Sequence, residues 1–321
     1  MASFGSETTA EEVVSAFASK VDGRTFLITG ASSNGLGAYM ATSLAKASPA
    51  GLILVARSEA KVAPVIKEIA DINPTIRATF VAVDLTDQDS VRAAAASILE
   101  DPQTPKIDVV INCAGIMYVQ EFTTDAKGNE LQFSANHIGH FLLTNLLMPK
   151  ILAASDACII NISSHGHQLS DIWWSDPTFN KGKDYHGWSG YGQSKTANIL
   201  FSVELARRLK HRGITSLSVH PGSIGNTGLF NHVPMTEFDS GDEISRKNTG
   251  LPFAIDTPFK TVSQGCSSAL AAALSPELAA HNGSYIQNCQ VGTPREYALD
   301  GEKAKRLWTM TEDLVGQKFD L

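Results

Sequence analysis

The chain has 321 residues, 43% of them hydrophobic and 18% charged, with a formal net charge of −7. Such a composition buries a large core and is far from the disordered class, while the acidic balance leaves no electrostatic footprint for nucleic acid, which is not expected as a partner. No apolar run approaches the ~20 residues that span a bilayer, and the N-terminus lacks a basic stretch followed by an apolar one, so no transmembrane segment or export signal is expected and the expected location is cytoplasmic.

In chain order, Thr9 to Glu12 has the form of a capping box, and Val13, Val14 and Phe17 follow on one helical face, which predicts an amphipathic helix within residues 1–20. From residue 21 onward, β-branched or apolar runs at 25–29, 52–56, 79–83, 108–111, 158–162 and 215–219 alternate with Ala-, Leu- and charge-rich stretches of helical period at 38–46, 62–70, 90–99, 131–147 and 194–210. That alternation predicts a doubly wound, Rossmann-type α/β fold, a mostly parallel sheet with helices on both faces, as a single domain over 21–321. Two stretches break the rhythm, 166–190 and 222–260, rich in Gly, Pro, Asp, Ser, Thr and aromatics. Both follow predicted strands, at whose carboxyl ends such folds bind ligands, so substrate recognition and a lid are expected there. A last helix at 302–316 is a candidate cover for the substrate pocket. The cysteines, 113, 158, 266 and 289, show no metal spacing and read as reduced core thiols.

Thr29-Gly30-Ala31-Ser32-Ser33-Asn34-Gly35-Leu36-Gly37 joins the first strand to the helix that follows. Glycines there let the backbone approach a pyrophosphate seated on free helix N–H groups, so Gly30, Ser32, Ser33, Asn34, Gly35, Leu36 and Gly37 are candidate dinucleotide ligands. Asp84 and Leu85, ending the third strand, are placed to read an adenine amide. About 20 residues past such a turn, NAD-preferring folds carry an acid for the ribose hydroxyls. Here that place holds Arg57, which cannot accept from a hydroxyl but pairs with a 2′-phosphate. NADP(H) is therefore the expected cofactor; the alternative makes Arg57 a solvated surface residue and Glu59 the ribose ligand.

Tyr191 and Lys195 lie one turn apart in a strongly helical stretch and share a face. A free tyrosine titrates near pH 10, so it exchanges protons near neutrality only if a cation favours the phenolate. Lys195 is placed to be that cation, since an opposite charge within ~4–6 Å moves a pKa by one to three units. Ser164 ends the predicted fifth strand and so faces the same crevice.

With Asn112-Cys113-Ala114-Gly115, Asn136-His137-Ile138-Gly139, Ser163-Ser164, Tyr191/Lys195 and Pro221-Gly222 following the glycine turn in this order, the chain resembles the short-chain dehydrogenase/reductases. Asn136 to Thr144, Tyr191 to Lys195, Ser275 to Leu278 and Arg306 to Trp308 resemble the retinol dehydrogenase and WW-domain oxidoreductase branch, including its fungal members. The resemblance implies that Tyr191 is the general acid/base, that Ser164 rather than Ser163 bonds the reacting oxygen, and that Lys195 holds the nicotinamide ribose and lowers the Tyr191 pKa. Asn136 would bend its helix and hold a water leading to Lys195. Asn112, Ala114 and Gly115 would line the cofactor, as would Pro221 and Gly222, and Ile224 and Thr227 would meet the nicotinamide carboxamide. Homodimers or homotetramers through the helices of Asn136 and Tyr191 are also implied.

The chain departs from that family at three places. An extra residue widens the glycine turn around Asn34, Cys113 replaces the second Asn of N-N-A-G, and the segment from Pro221 to Thr227 is one residue long. His165 and His167 have a spacing that invites a metal, but no carboxylate or cysteine cluster completes a site, and no metal is expected. Trp173, Trp174, Phe179, Tyr185 and Trp188 serve either packing or an aromatic substrate wall. The expected activity is NADPH-dependent interconversion of a hydrophobic ketone or aldehyde with its alcohol. The alternatives are a non-redox or bifunctional enzyme of secondary metabolism, such as a cyclase or isomerase, and a catalytically idle NADPH sensor.

Overall fold

The computed structural model of the protein describes residues 4–225, 228–229, 233–253 and 255–321; Thr227 lies outside the described residues. The strands are β1 (Thr25–Thr29), β2 (Gly51–Ala56), β3 (Arg77–Ala82), β4 (Val109–Asn112), β5 (Cys158–Ile162), β6 (Thr215–His220), β7 (Tyr285–Gln287) and β8 (Gln290–Val291). They form one sheet in the order β3-β2-β1-β4-β5-β6-β7-β8, parallel except for the β7–β8 pair. The first six match the runs read from the sequence.

The helices are α1 (Ala10–Ala16), α2 (Leu36–Ala45), α3 (Glu59–Ile72), α4 (Gln88–Glu100), α5 (Leu131–Phe133), α6 (Gly139–Leu146), α7 (Met148–Leu152), α8 (Gly187–Leu209), α9 (Gly241–Thr249), α10 (Val262–Leu274), α11 (Pro276–Ala279) and α12 (Gly301–Val315). Because successive side chains of a strand point to opposite faces, each central strand feeds two cores. Phe26, Ile28, Leu52, Leu54, Val109 and Ile111 pack with residues of α1, α2, α3 and α10. Leu27, Ile53, Val55 and Val110 pack on the other side with α4, α6, α8 and α12. Burial on both faces is why these strands read as continuous apolar runs. The capping box at Thr9 forms: Glu12 N–H donates to Thr9 Oγ1, and Thr9 N–H to Glu12 Oε2. Val13 and Val14 belong to the first core.

The two irregular stretches are fastened to each other. Within 222–260 lie a 3₁₀ turn, Met235–Ser240, and α9, hidden in the sequence by their Gly, Asp and Ser content. Ser245 Oγ donates to Gln168 O (3.0 Å), Asn248 Nδ2 to Leu169 O (3.0 Å) and Ser189 Oγ (2.8 Å), and Trp188 Nε1 to Glu237 O (2.7 Å). Trp173, Phe179 and Tyr185 stack within their own loop, and Trp174 lies under Arg306; of the five aromatics only Trp188 lines the cleft described below.

The last helix does not cover that cleft. Trp308 of α12 packs edge-on against Phe141 of α6 (4.8 Å between centroids) and near Phe201 of α8 (6.0 Å), while Thr311 Oγ1 bonds His137 Nε2 at 2.9 Å. It therefore lies over the helices that follow Asn136 and carry Tyr191, through which the resemblance implied self-association. Among the described residues, no helix is long and apolar enough to cross a membrane.

Candidate active site

A cleft of about 1090 Å³ opens at the carboxyl ends of the strands, lined on one side by the β1–α2 turn and on the other by the residues after β4, β5 and β6. Strand order reverses between β1 and β4, the place where open α/β sheets bind ligands. Gly30 has φ +73°, and a side chain on it would meet the backbone of Ala114 at 2.8 Å; one on Gly37 would meet Gly30 O at 2.6 Å. The turn is thus packed against β4 and α2 as closely as backbone allows. Asn34, the extra residue, takes a left-handed conformation (φ 66°), which asparagine tolerates better than most residues. Gly35 precedes α2 without any side-chain cap, so the first N–H groups of the helix are left for an anion.

Gly30, Ser32, Ser33, Asn34, Gly35, Leu36, Arg57, Asp84, Leu85, Ala114, Gly115, Pro221, Gly222 and Ile224 all line this cleft. Two of the expected cofactor residues do not. Asn112 is buried behind the wall, where its Nδ2 donates to Thr144 Oγ1 (3.0 Å) and Asn161 Oδ1 (2.8 Å), cross-linking β4 to β5 and α6. Gly37 is a packing glycine pressed on Gly30. Cys113 N–H donates to Thr29 Oγ1 (2.9 Å), a backbone bond that any residue makes, and burial pushes its thiol up to about 12.

Ser164, Tyr191 and Lys195 converge on the cleft. Tyr191 and Lys195 come from the first turns of α8, with Lys195 Nζ 5.6 Å from the centre of the Tyr191 ring. Ser163 spends its Oγ inside the protein, donating to Lys195 O at 2.8 Å, whereas Ser164 Oγ accepts from Gly166 N at 3.0 Å. Burial pushes the Tyr191 phenol up to about 12 against the opposing hydrogen bond of Ser164. Lys195, whose Nζ donates to Ile162 O at 3.2 Å, is pushed down to about 8 by burial. Burial is thus the largest influence on Tyr191 and the Ser164 hydrogen bond the opposing one; Lys195 is not among them.

Asn136 sits behind the cleft in a π-helical turn, Ser134–Ile138, between α5 and α6. A π-helical turn departs from regular α-helix geometry at the residue where the resemblance implied a bend. Its Oδ1 accepts from Ile116 N (2.8 Å), and its Nδ2 donates to Ile116 O (2.9 Å) and Ser194 Oγ (2.9 Å), so its side chain ties the β4 loop to α8. Its carbonyl is met at 2.9 Å by His140 Nδ1. Thr29 Oγ1 accepts from Cys113 N and Ala114 N, which leaves its hydrogen for His140 Nε2 at 2.8 Å. The His140 proton then lies on Nδ1, donated to Asn136 O. Burial pushes His140 down to about 4 and keeps it neutral.

The sequence profile of the short chain dehydrogenase family matches residues 24–176. Human retinol dehydrogenase 13 is 35% identical over 298 residues, covering 92% of this chain and 86% of that protein, and human retinol dehydrogenase 11 is 33% identical over 301 residues, 94% and 88%. The chain belongs to the short-chain dehydrogenase/reductases. Within them it falls in the retinol dehydrogenase-like branch, and it is an NAD(P)-dependent oxidoreductase. A crystal structure of an uncharacterised protein from Mycobacterium paratuberculosis matches the fold with a TM-score of 0.69 at 28% identity, covering 95% of this chain and 98% of the other.

In this dehydrogenase/reductase the residues that sequence reasoning missed are Lys61, His140, His220 and Asp256. Lys61, in the first turn of α3, lines the cleft as Arg57 does. Glu59 does not line it, and no carboxylate pairs with Arg57 or Lys61 among the described residues. The two histidines flanking Gly166 part company. His167 donates from Nδ1 to Ser164 O (2.7 Å) and accepts at Nε2 from Arg295 N (3.1 Å). His165 instead meets His220 and Asp256, with ligand atoms of all three within 4.8 Å of one another.

Proposed function

We propose that this oxidoreductase uses NADP(H) to reduce a hydrophobic ketone or aldehyde, with Tyr191 delivering the proton to the reacting oxygen. The observation that supports this best is the convergence of Ser164, Tyr191 and Lys195 in a cleft that also carries an apolar stretch of wall, Leu169, Trp188, Phe238 and Phe253. Relatives named for retinol favour an apolar substrate as well.

The cradle fits a dinucleotide: backbone rather than side chains faces the β1–α2 turn, and the uncapped N-terminus of α2 suits a pyrophosphate. Gly30 to Leu36 would hold the phosphates, Asp84 and Leu85 the adenine, Arg57 with Lys61 the 2′-phosphate, and Ala114, Gly115, Pro221, Gly222 and Ile224 the nicotinamide half. Gly37 and Asn112 act from behind by holding the turn and β4. When bound, the nicotinamide supplies the hydride.

A phenol pushed up to about 12 is fully protonated at neutral pH, the state required of an acid that protonates a developing alkoxide. Ser164 shares the reacting oxygen with Tyr191. Lys195, pushed down to about 8, still keeps most of its charge at pH 7, where it steadies the ribose and the negative charge that develops on oxygen. Asn136 positions the β4 loop against α8. Tyr191→Phe should retain NADPH affinity and lose at least ~10²-fold in turnover, the low end for a general acid. Turnover equal to wild type in a variant that binds NADPH normally would remove Tyr191 from the mechanism.

A further inference from the structure

Three polar side chains from distant parts of the chain meet at the substrate end of the cleft: His165 just after Ser164, His220 at the end of β6, and Asp256 from the 222–260 segment. The His165 and His220 rings stack with centroids 4.7 Å apart and planes 2° from parallel. His165 N–H donates to His220 Nδ1 at 3.1 Å, which places the His220 proton on Nε2, facing Asp256 Oδ2 at 3.2 Å. Both nitrogens of His220 are therefore occupied within the protein, and burial pushes it down to about 4, so it is neutral.

Asp256 differs. It spends one oxygen on His220, its side chain is 26% exposed, and it lines the cleft; the His220 hydrogen bond holds its carboxyl below the usual range. His165 lines the cleft as well; its Nδ1 is buried without a partner, which leaves Nε2 as the nitrogen that can meet a ligand. Among the described residues lining this end, only Asp256 and Lys195 bear a formal charge. Nearby Lys260 turns its Nζ to Asn288 Oδ1 at 2.6 Å. Across the cleft the wall is apolar. A carboxylate kept ionised in such a place accepts strongly from a hydroxyl and repels an anion.

Resting on the reductase reading above, we propose that Asp256 and His165 form a polar subsite for a hydroxyl group of the substrate close to the reacting carbonyl. Asp256 accepts the hydroxyl hydrogen and His165 bonds its oxygen, while His220 is a positioning residue that aims both. The substrate class is then a neutral hydroxylated ketone or aldehyde with an apolar body. Carboxylate and phosphate substrates are disfavoured. A cation held by the same three groups is the competing use of the site; the satisfied hydrogen bonds of His220 favour the hydroxyl.

The test compares propiophenone with 2-hydroxypropiophenone as substrates, with NADPH, in wild type and Asp256→Ala. Because an α-oxygen also raises intrinsic reactivity, the telling quantity is the change in the kcat/KM ratio between the two proteins. A charge-assisted hydrogen bond corresponds to roughly 10- to 150-fold, so Asp256→Ala should lower the preference for the hydroxy ketone by that factor while propiophenone stays within about threefold. An unchanged ratio, or an equal loss on both ketones, would assign Asp256 to holding the lid and overturn the subsite while leaving the reductase reading intact. Loss of the preference on adding EDTA to wild type would assign the three groups to a cation and likewise overturn it. If wild type reduces neither ketone nor any of a panel of apolar carbonyls, the reductase reading itself fails.

Discussion

Cofactor choice offers the sharpest quantitative test. Arg57 stands at the end of β2 and is exposed at the rim of the cleft, so its contact with a 2′-phosphate forms in a nearly aqueous dielectric. Two unit charges 4 Å apart then gain only ~1 kcal/mol, and the charge-assisted hydrogen bond takes its lower value of ~1.5 kcal/mol. Arg57→Ala should therefore lower kcat/KM for NADPH about tenfold and leave NADH alone. Arg57→Asp adds a repulsion of ~1 kcal/mol, for a total near 2.5 kcal/mol, and should shift the NADPH-to-NADH ratio by about 60-fold. Lys61→Ala should shift it in the same direction by less, since an ammonium makes no bidentate contact. Steady-state kinetics with both cofactors, at low salt and at several ionic strengths, would measure these ratios, and the Arg57 effect should shrink as salt rises. Equal use of NADH and NADPH by wild type, or an unchanged ratio in Arg57→Asp, would return Arg57 to the solvated surface and remove it from the cofactor site.

Other substitutions probe the floor of the site. Lys195→Ala should weaken NADPH binding and turnover together, because one side chain serves both; a change in only one, by calorimetry and stopped flow, would separate the roles. Lys195 loses its charge as pH rises through about 8, while the Tyr191 phenol stays protonated to about 12, so reductase activity should fall with a midpoint near pH 8; an alkaline limb only above pH 10 would contradict this. Gly37→Ala would press a methyl against Gly30 O, a strain of about 1–3 kcal/mol for overpacking. It should lower the melting temperature and NADPH affinity together, and unchanged affinity in a destabilised protein would show that the turn is not coupled to the phosphates.

Much of this was legible because local rules carried it. Six strands declared themselves as β-branched runs, and the Tyr191/Lys195 pair could be placed because four residues make one helical turn. Tyr285–Gln287 and Gln290–Val291 are too short to show any alternation and form only because β6 offers an open edge. Asn112 resembled a cofactor ligand by its motif, yet its place at the end of β4 points it into the sheet towards Thr144 and Asn161. Lys61 read as an ordinary helix-surface lysine; only the turn of α3 beneath the β1–α2 loop, where its carbonyl accepts from Ser33 N, brings it to the cleft. His165, His220 and Asp256 are separated by 55 and 36 residues, so no spacing rule could join them.

The seating of the C-terminal helix bears on how copies of this protein meet. Trp308 and Thr311 occupy the outer side of α6 and the π-helical turn, and Arg208 of α8 lies over the Trp308 ring at 4.1 Å. The tail thereby covers Phe141 and Phe201. A chain cut before Gly301 should expose that aromatic face and either self-associate or precipitate.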